Sequence, residues 1–149
     1  MSEHRAKVNW TRGTGDFTYE SYNRDHVVAF ESGAEIKASA APGFQGNPGC
    51  VNPEEALVGA LSSCHMLTFL AIAAKKRLVV DRYEDEAVGF LEKNANAKLA
   101  VTRVTLKPKV AWGGEQTPTA EEIEKMHAHA HQACFIANSV LTEVAIEPR

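Results

Sequence analysis

Three cysteines in 149 residues are too few for a disulfide framework, and Met1 to Val8 lacks the apolar core of a secretory signal. The expectation is a cytoplasmic protein whose cysteines are catalytic, metal-binding or simply buried. Charge of one sign is equally scarce. Sixteen Lys and Arg against nineteen Asp and Glu leave a formal net charge of -3, which gives no footprint for nucleic acid or an anionic membrane. Internal repeats and low-complexity tracts are absent. The Gly- and Pro-rich stretch from Ala41 to Cys50 lacks both the Lys-Ser/Thr ending and the G-x-G-x-x-G spacing of a phosphate cradle, so it reads as a connector. The short C-x-x-C and H-E-x-x-H metal signatures are missing too.

What the chain does have is one long apolar run. Asn52-Pro53-Glu54-Glu55 reads as a helix start, with Asn52 as N-cap, Pro53 at the first helical position and Glu55 placed to cap in return. Apolar residues continue from Ala56 to Ala74, with Cys64-His65 at the middle, and Lys75, Lys76 and Arg77 close the run where the helix dipole favours positive charge. From Pro53 to Lys76 such a helix is roughly 36 Å long. Leu57, Leu61, Met66, Phe69 and their neighbours spread around the whole circumference, the pattern of a helix buried on most sides. A membrane span competes on length. Ser62, Ser63, His65 and Thr68 near the centre, the acidic start and the lack of a second such segment favour a core helix without a membrane. One small domain can hardly cover it, which points to a partner chain.

The remainder alternates. Glu3 to Trp10, Phe17 to Phe30 and Glu35 to Ser39 read as strands, and Leu78 to Glu92 as another, with Gly89 as a bulge. Val101 to Trp112 follows, with Pro108 suiting an edge or bulge. Thr119-Ala120-Glu121-Glu122 opens a second helix with a capping-box pattern that runs to about Phe135, and Val140 to Ile146 closes as a strand. The order defines a single α+β domain over residues 1–149.

Cys64 and Cys134 are the residues of chemical interest, although a buried cysteine is ordinarily an inert small hydrophobe. His127, His131 and Cys134 fall at i, i+4 and i+7 and share one helix face. If that face meets Cys64-His65, two chemistries become available. The sulfurs can act as a redox couple, or the two cysteines with His65, His127 and His131 can supply soft ligands for zinc. Inert core packing, or a solvated row of His127, His129 and His131, is the third reading. A thiolate at neutral pH needs a cationic neighbour, because a free cysteine titrates near ~8.5. Arg24 is the candidate, with a plain surface role as its alternative.

The run Asn52-Pro53-Glu54-Glu55-Ala56-Leu57 through Ser63-Cys64-His65-Met66-Leu67-Thr68-Phe69-Leu70 resembles the OsmC branch of the OsmC/Ohr family. Cys134-Phe135-Ile136-Ala137-Asn138-Ser139-Val140 is similar to that branch's second cysteine motif, 70 residues on, and Tyr22-Asn23-Arg24-Asp25-His26 and Ser39-Ala40-Ala41-Pro42 are similar to its N-terminal features. The resemblance implies an α+β fold with two long central helices and antiparallel or mixed sheets, built by two intertwined chains. It also implies a thiol-dependent peroxidase acting on organic hydroperoxides and, less well, on hydrogen peroxide. By motif, Cys64 is the peroxidatic cysteine, Cys134 the resolving one, Arg24 the activator and Glu54 the acid that orients it, while Cys50 matches no family site. No metal or organic cofactor is implied, and an external dithiol or lipoyl-type reductant is. Glu54 and Cys64 lie ten residues, roughly 15 Å, apart along one helix. The acid is therefore expected to act on the partner chain's thiol through Arg24, in a composite site. The competing reading is a non-catalytic zinc or small-molecule binding module on the same fold.

Overall fold

The helix start written at Asn52 forms as a reciprocal cap. The Glu55 N–H donates to Asn52 Oδ1 at 2.8 Å, and the Asn52 N–H donates to Glu55 Oε2 at 3.1 Å. From there α1 runs Pro53–Lys75 and stops where Arg77 turns left-handed at φ 60°. The computed structural model describes all 149 residues, Met1–Arg149. They fall into two units, Met1–Ala56 and Leu57–Arg149.

The first unit is built on an antiparallel sheet in the order β1 (Ala6–Asn9), β2 (His26–Phe30) and β3 (Glu35–Ala38). The strand expected to begin at Phe17 does not form before His26. Instead the Thr18 carbonyl accepts the N–H groups of Ser21 and Tyr22, and the Thr18 and Ser21 hydroxyls bond each other. Local side-chain and turn bonds take the backbone away from a ladder there. The Ala41–Cys50 connector holds one 3-10 turn, Pro42–Phe44. Gly46 is required within it, since a Cβ would clash with the Ala40 backbone carbonyl.

In the second unit, the expected strand from Leu78 to Glu92 is two strands, β4 (Val79–Asp85) and β5 (Val88–Lys93), and they join different sheets. Val101 to Trp112 likewise divides at Lys107 into β6 (Leu99–Leu106) and β7 (Pro108–Gly113). Pro108 opens its strand, a position that requires no ladder N–H. β4 pairs antiparallel with β7. β6 lies between β5, antiparallel, and the final strand β8 (Glu143–Ile146), parallel. The register shift in β5 falls between Phe90 and Leu91 rather than at Gly89. Gly89 instead makes room for α1, because a Cβ there would lie 2.5 Å from the Val58 side chain.

α2 (Ala120–Ala133) carries the full capping box between Thr119 and Glu122. A 3-10 turn, Ala137–Ser139, follows α2, and the last strand expected from Val140 begins only at Glu143. Two apolar clusters hold the unit together. Phe69 and Ala73 of α1 meet Met126 and Ala130 of α2, and Leu61 meets Val104 and Leu106 of β6. α1 differs from its all-round burial expectation. Its buried residues are Leu61, His65, Phe69 and Ala73, one stripe at four-residue spacing, while Leu67 is 60% exposed. A single chain covers one side of this helix only.

Candidate functional site

Cys64 and Cys134 come together. Cys64 sits half-buried in the middle of α1, and Cys134 is the fully buried residue that ends α2. The two thiols are free, and Cys64 is a side-chain neighbour of Cys134. Burial pushes the Cys134 thiol above its ordinary pKa, and the neighbouring Cys64 pushes it in the same direction. The Ala137 N–H, donated to Cys134 Sγ at 3.5 Å, pulls the other way. The turn after α2 therefore has a chemical consequence: it aims a backbone donor at a sulfur that burial otherwise keeps protonated.

The same seam between the helices brings together His65 and His127. His65 Nε2 and His127 Nδ1 are 3.0 Å apart, and the rings are nearly parallel at 6°. His127 also stacks on Phe69, with centroids 4.3 Å apart. Burial lowers both imidazoles to about 4. His127 and His131 lower His65 further, whereas Asp85 opposes the shift on both rings. Both are accordingly neutral at pH 7. Asp85 on β4 accepts the Ser62 hydroxyl at 2.5 Å and the Lys107 N–H at 2.6 Å. His65 Nδ1, His127 Nε2, His131 Nδ1 and the Tyr83 hydroxyl are buried without a partner.

The five residues considered as zinc ligands thus sort into a thiol pair and an imidazole pair, with His131 apart. No three His, Cys, Asp or Glu side chains converge where they could hold a metal ion. The i, i+4, i+7 spacing signalled a shared face on α2. The roles of Ser62, Tyr83 and Asp85 carried no sequence signal, because they depend on β4 packing against α1, a contact between elements distant in the chain.

Arg24 and Glu54 belong to the first unit. Arg24 stands in the turn before β2, and its guanidinium donates to the carbonyls of Tyr22 at 2.8 Å and Tyr19 at 2.5 Å. It lies over the Tyr22 ring at 4.1 Å. An open apolar pocket of about 350 Å³ adjoins it, lined by Trp10, Phe17, Tyr22 and His26 among others. No carboxylate of the chain forms an ion pair with Arg24. Glu54, in the first turn of α1, keeps Oε2 buried and unpartnered. Cys50 is half-buried and free.

A mixed α+β domain carrying two free cysteines side by side, one on each helix, defines the class: a fold with a dithiol at its helical seam. The chain belongs to the OsmC-like protein family, whose pattern matches residues 46–149. It is similar to the OsmC-like protein of unknown function VCA0330 from Vibrio cholerae, at 50% identity over 100% of both chains and a TM-score of 0.97. It is 22% identical to the uncharacterized protein YmaD of Bacillus subtilis, over 99% of this chain and 93% of that protein. The organic hydroperoxide resistance protein OhrB of Bacillus subtilis shares the fold at a TM-score of 0.70 and 14% identity, over 99% of this chain and 98% of that one.

Proposed function

We propose that the protein is a thiol-dependent peroxidase that reduces organic hydroperoxides and, less well, hydrogen peroxide. The observation that carries this reading is the adjacency of two free thiols 70 residues apart in sequence, one of them half-buried and the other sealed. In the proposed cycle the Cys64 thiolate attacks the terminal oxygen of ROOH. The O–O bond breaks, the alkoxide leaves as the alcohol after taking a proton, and Cys64 becomes a sulfenic acid. Cys134 then attacks the sulfenic sulfur. The S–S bond forms, the S–O bond breaks and water leaves. An external dithiol or lipoyl-type reductant restores both thiols, and the cycle uses no metal or organic cofactor.

Arg24 is assigned to favour the Cys64 thiolate, and Glu54 to orient that arginine. The unpartnered Glu54 oxygen supports an ionic partner absent from a single chain. A homodimer supplies one, and a second copy covers the apolar face of α1 that one chain leaves open. The working molecule is assigned to the cytoplasm, without nucleic-acid or membrane partners. Cys64→Ser is expected to abolish hydroperoxide turnover, and Cys134→Ser to complete one turnover and stall with a sulfenic acid that a dimedone-type reagent traps. Appreciable steady-state turnover by Cys64→Ser contradicts the assignment.

A further inference from the structure

The imidazole pair plays no part in that cycle, yet it ties α1 to α2 amid apolar packing. Around it lie Phe69 and Ala73 of α1 with Met126 and Ala130 of α2. Both rings are buried, and His65 Nε2 meets His127 Nδ1 at 3.0 Å. That bond needs one proton between the two nitrogens, with one ring donating and the other accepting. A first added proton enters on an outer nitrogen and leaves the shared bond in place. A second puts a donor on each side of the 3.0 Å gap, where no acceptor remains. Two imidazolium rings stacked at 6°, with centroids 5.4 Å apart, also repel each other. The outer nitrogens, His65 Nδ1 and His127 Nε2, are buried without a partner, so the chain offers the charged pair no compensating hydrogen bond there.

The titratable groups facing the rings are few. β4 supplies Asp85, whose carboxylate favours the charged form of both rings, and Tyr83, whose hydroxyl burial keeps protonated. Asp85 already accepts the Ser62 hydroxyl and the Lys107 N–H, and one carboxylate cannot balance two imidazolium charges. α2 supplies His131, which disfavours a charge on His65, and Glu124, which lines an open pocket of about 610 Å³ together with His127 and His131. That pocket gives protons a way in from solvent. β7 contributes Val110 and Trp112, which do not titrate, and on α1 Cys64 precedes His65.

α2 is the element able to move. It belongs to no sheet, and it is joined to the rest by the irregular segment 114–119, with Gly114 at φ 71°, and by the 3-10 turn Ala137–Ser139. Lifting it breaks no strand pairing. Cys134 ends this helix and is buried, so access to its sulfur follows the position of α2.

We propose that the His65–His127 pair is an acid-released latch: loading both rings with protons parts α2 from α1 and exposes Cys134 while the sheets stay paired. The latch governs access to Cys134 and does not depend on the peroxidase reading. Burial holds both rings at about 4 in the closed seam, and each returns to the ordinary 6.5 once released into water. Between those values opening takes up nearly two protons, so the closed seam is complete above pH 6.5 and opens increasingly as pH falls toward 4.

The test uses the full-length chain with Cys50→Ser and Cys64→Ser, in which Cys134 is the sole thiol. Its rate of reaction with a pyridyl disulfide, a reagent that still reads thiols in mild acid, is divided by that of glutathione at the same pH. The division removes the pH dependence of the thiol itself. The ratio is expected to rise about fiftyfold from pH 6 to pH 5, the signature of two protons, and about sevenfold when His127→Gln leaves one ring. Hydrogen exchange read by mass over the same range is expected to show the α2 amides opening while those of β6 stay protected. A rise of less than about tenfold with both histidines present overturns the latch, as does an equal rise in His127→Gln. A ratio that rises only together with loss of β6 protection reports global unfolding and overturns it too. Should His127→Gln not fold, the rise measured with both histidines present decides alone.

Discussion

At the scale of single residues, the account turns on the unlike surroundings of two sulfurs. Cys64 is partly open, as the proposed attacking thiol needs to be. Cys134 is sealed, and burial with Cys64 beside it raises its pKa. The thiolate is the attacking form, so disulfide closure is expected to quicken with rising pH and to level off above the range of a free cysteine. Rapid-mixing measurement of closure across alkaline pH checks this, and a plateau reached at neutral pH contradicts it. Single residues were also where the sequence was most legible. The motifs single out Cys64 and Cys134, and the i, i+4, i+7 spacing defines the α2 face that leads to Cys134, but only the packing of α2 decides that this face meets Cys64. Arg24 was legible as a residue type but not in its setting. Its bonds to the Tyr19 and Tyr22 carbonyls depend on a turn that alternating aromatic and polar residues disguised as a strand.

At the scale of elements, α1 and α2 were readable because their caps are written in consecutive residues. Asn52 with Glu55 and Thr119 with Glu122 form reciprocal bonds that fix both starts. The strands were less readable. Lys107 and the residues after Asp85 break continuous apolar alternation, and only long-range pairing decides which sheet each half joins. The buried imidazole pair between the helices makes an element-scale prediction. Both rings titrate at about 4 in the folded protein against an ordinary 6.5. Between those values the unfolded chain binds more protons, so stability is complete above pH 6.5 and falls as pH drops toward 4. The loss is on the order of 3 kcal/mol for one ring. Urea unfolding at pH 7 and pH 4.5 should show it, and His127→Gln should flatten the dependence. An equally steep dependence in that variant would show that the acid sensitivity lies elsewhere.

At the scale of the whole molecule, α1 presents the main structural problem. By length and composition it is apolar enough to cross a membrane, yet one chain buries only the Leu61–Ala73 stripe. The sequence showed the excess of apolar surface but not which side remains uncovered, since that depends on how α2 and β6 pack against the helix. In the proposed homodimer a second copy on the open side would make Leu67 an interface residue. Leu67→Arg is expected to shift the protein from dimer to monomer in sedimentation equilibrium and to lose most hydroperoxide turnover with it. A monomeric, fully active Leu67→Arg would refute the composite site in which Glu54 and Arg24 serve a partner's thiol. The central claim is tested most directly by treating the reduced protein with one equivalent of an organic hydroperoxide and mapping its peptides by mass. The account predicts the loss of two thiols per chain and a single disulfide joining Cys64 to Cys134. Retention of both thiols, or oxidation of Cys64 to the sulfinic acid with Cys134 untouched, would contradict it.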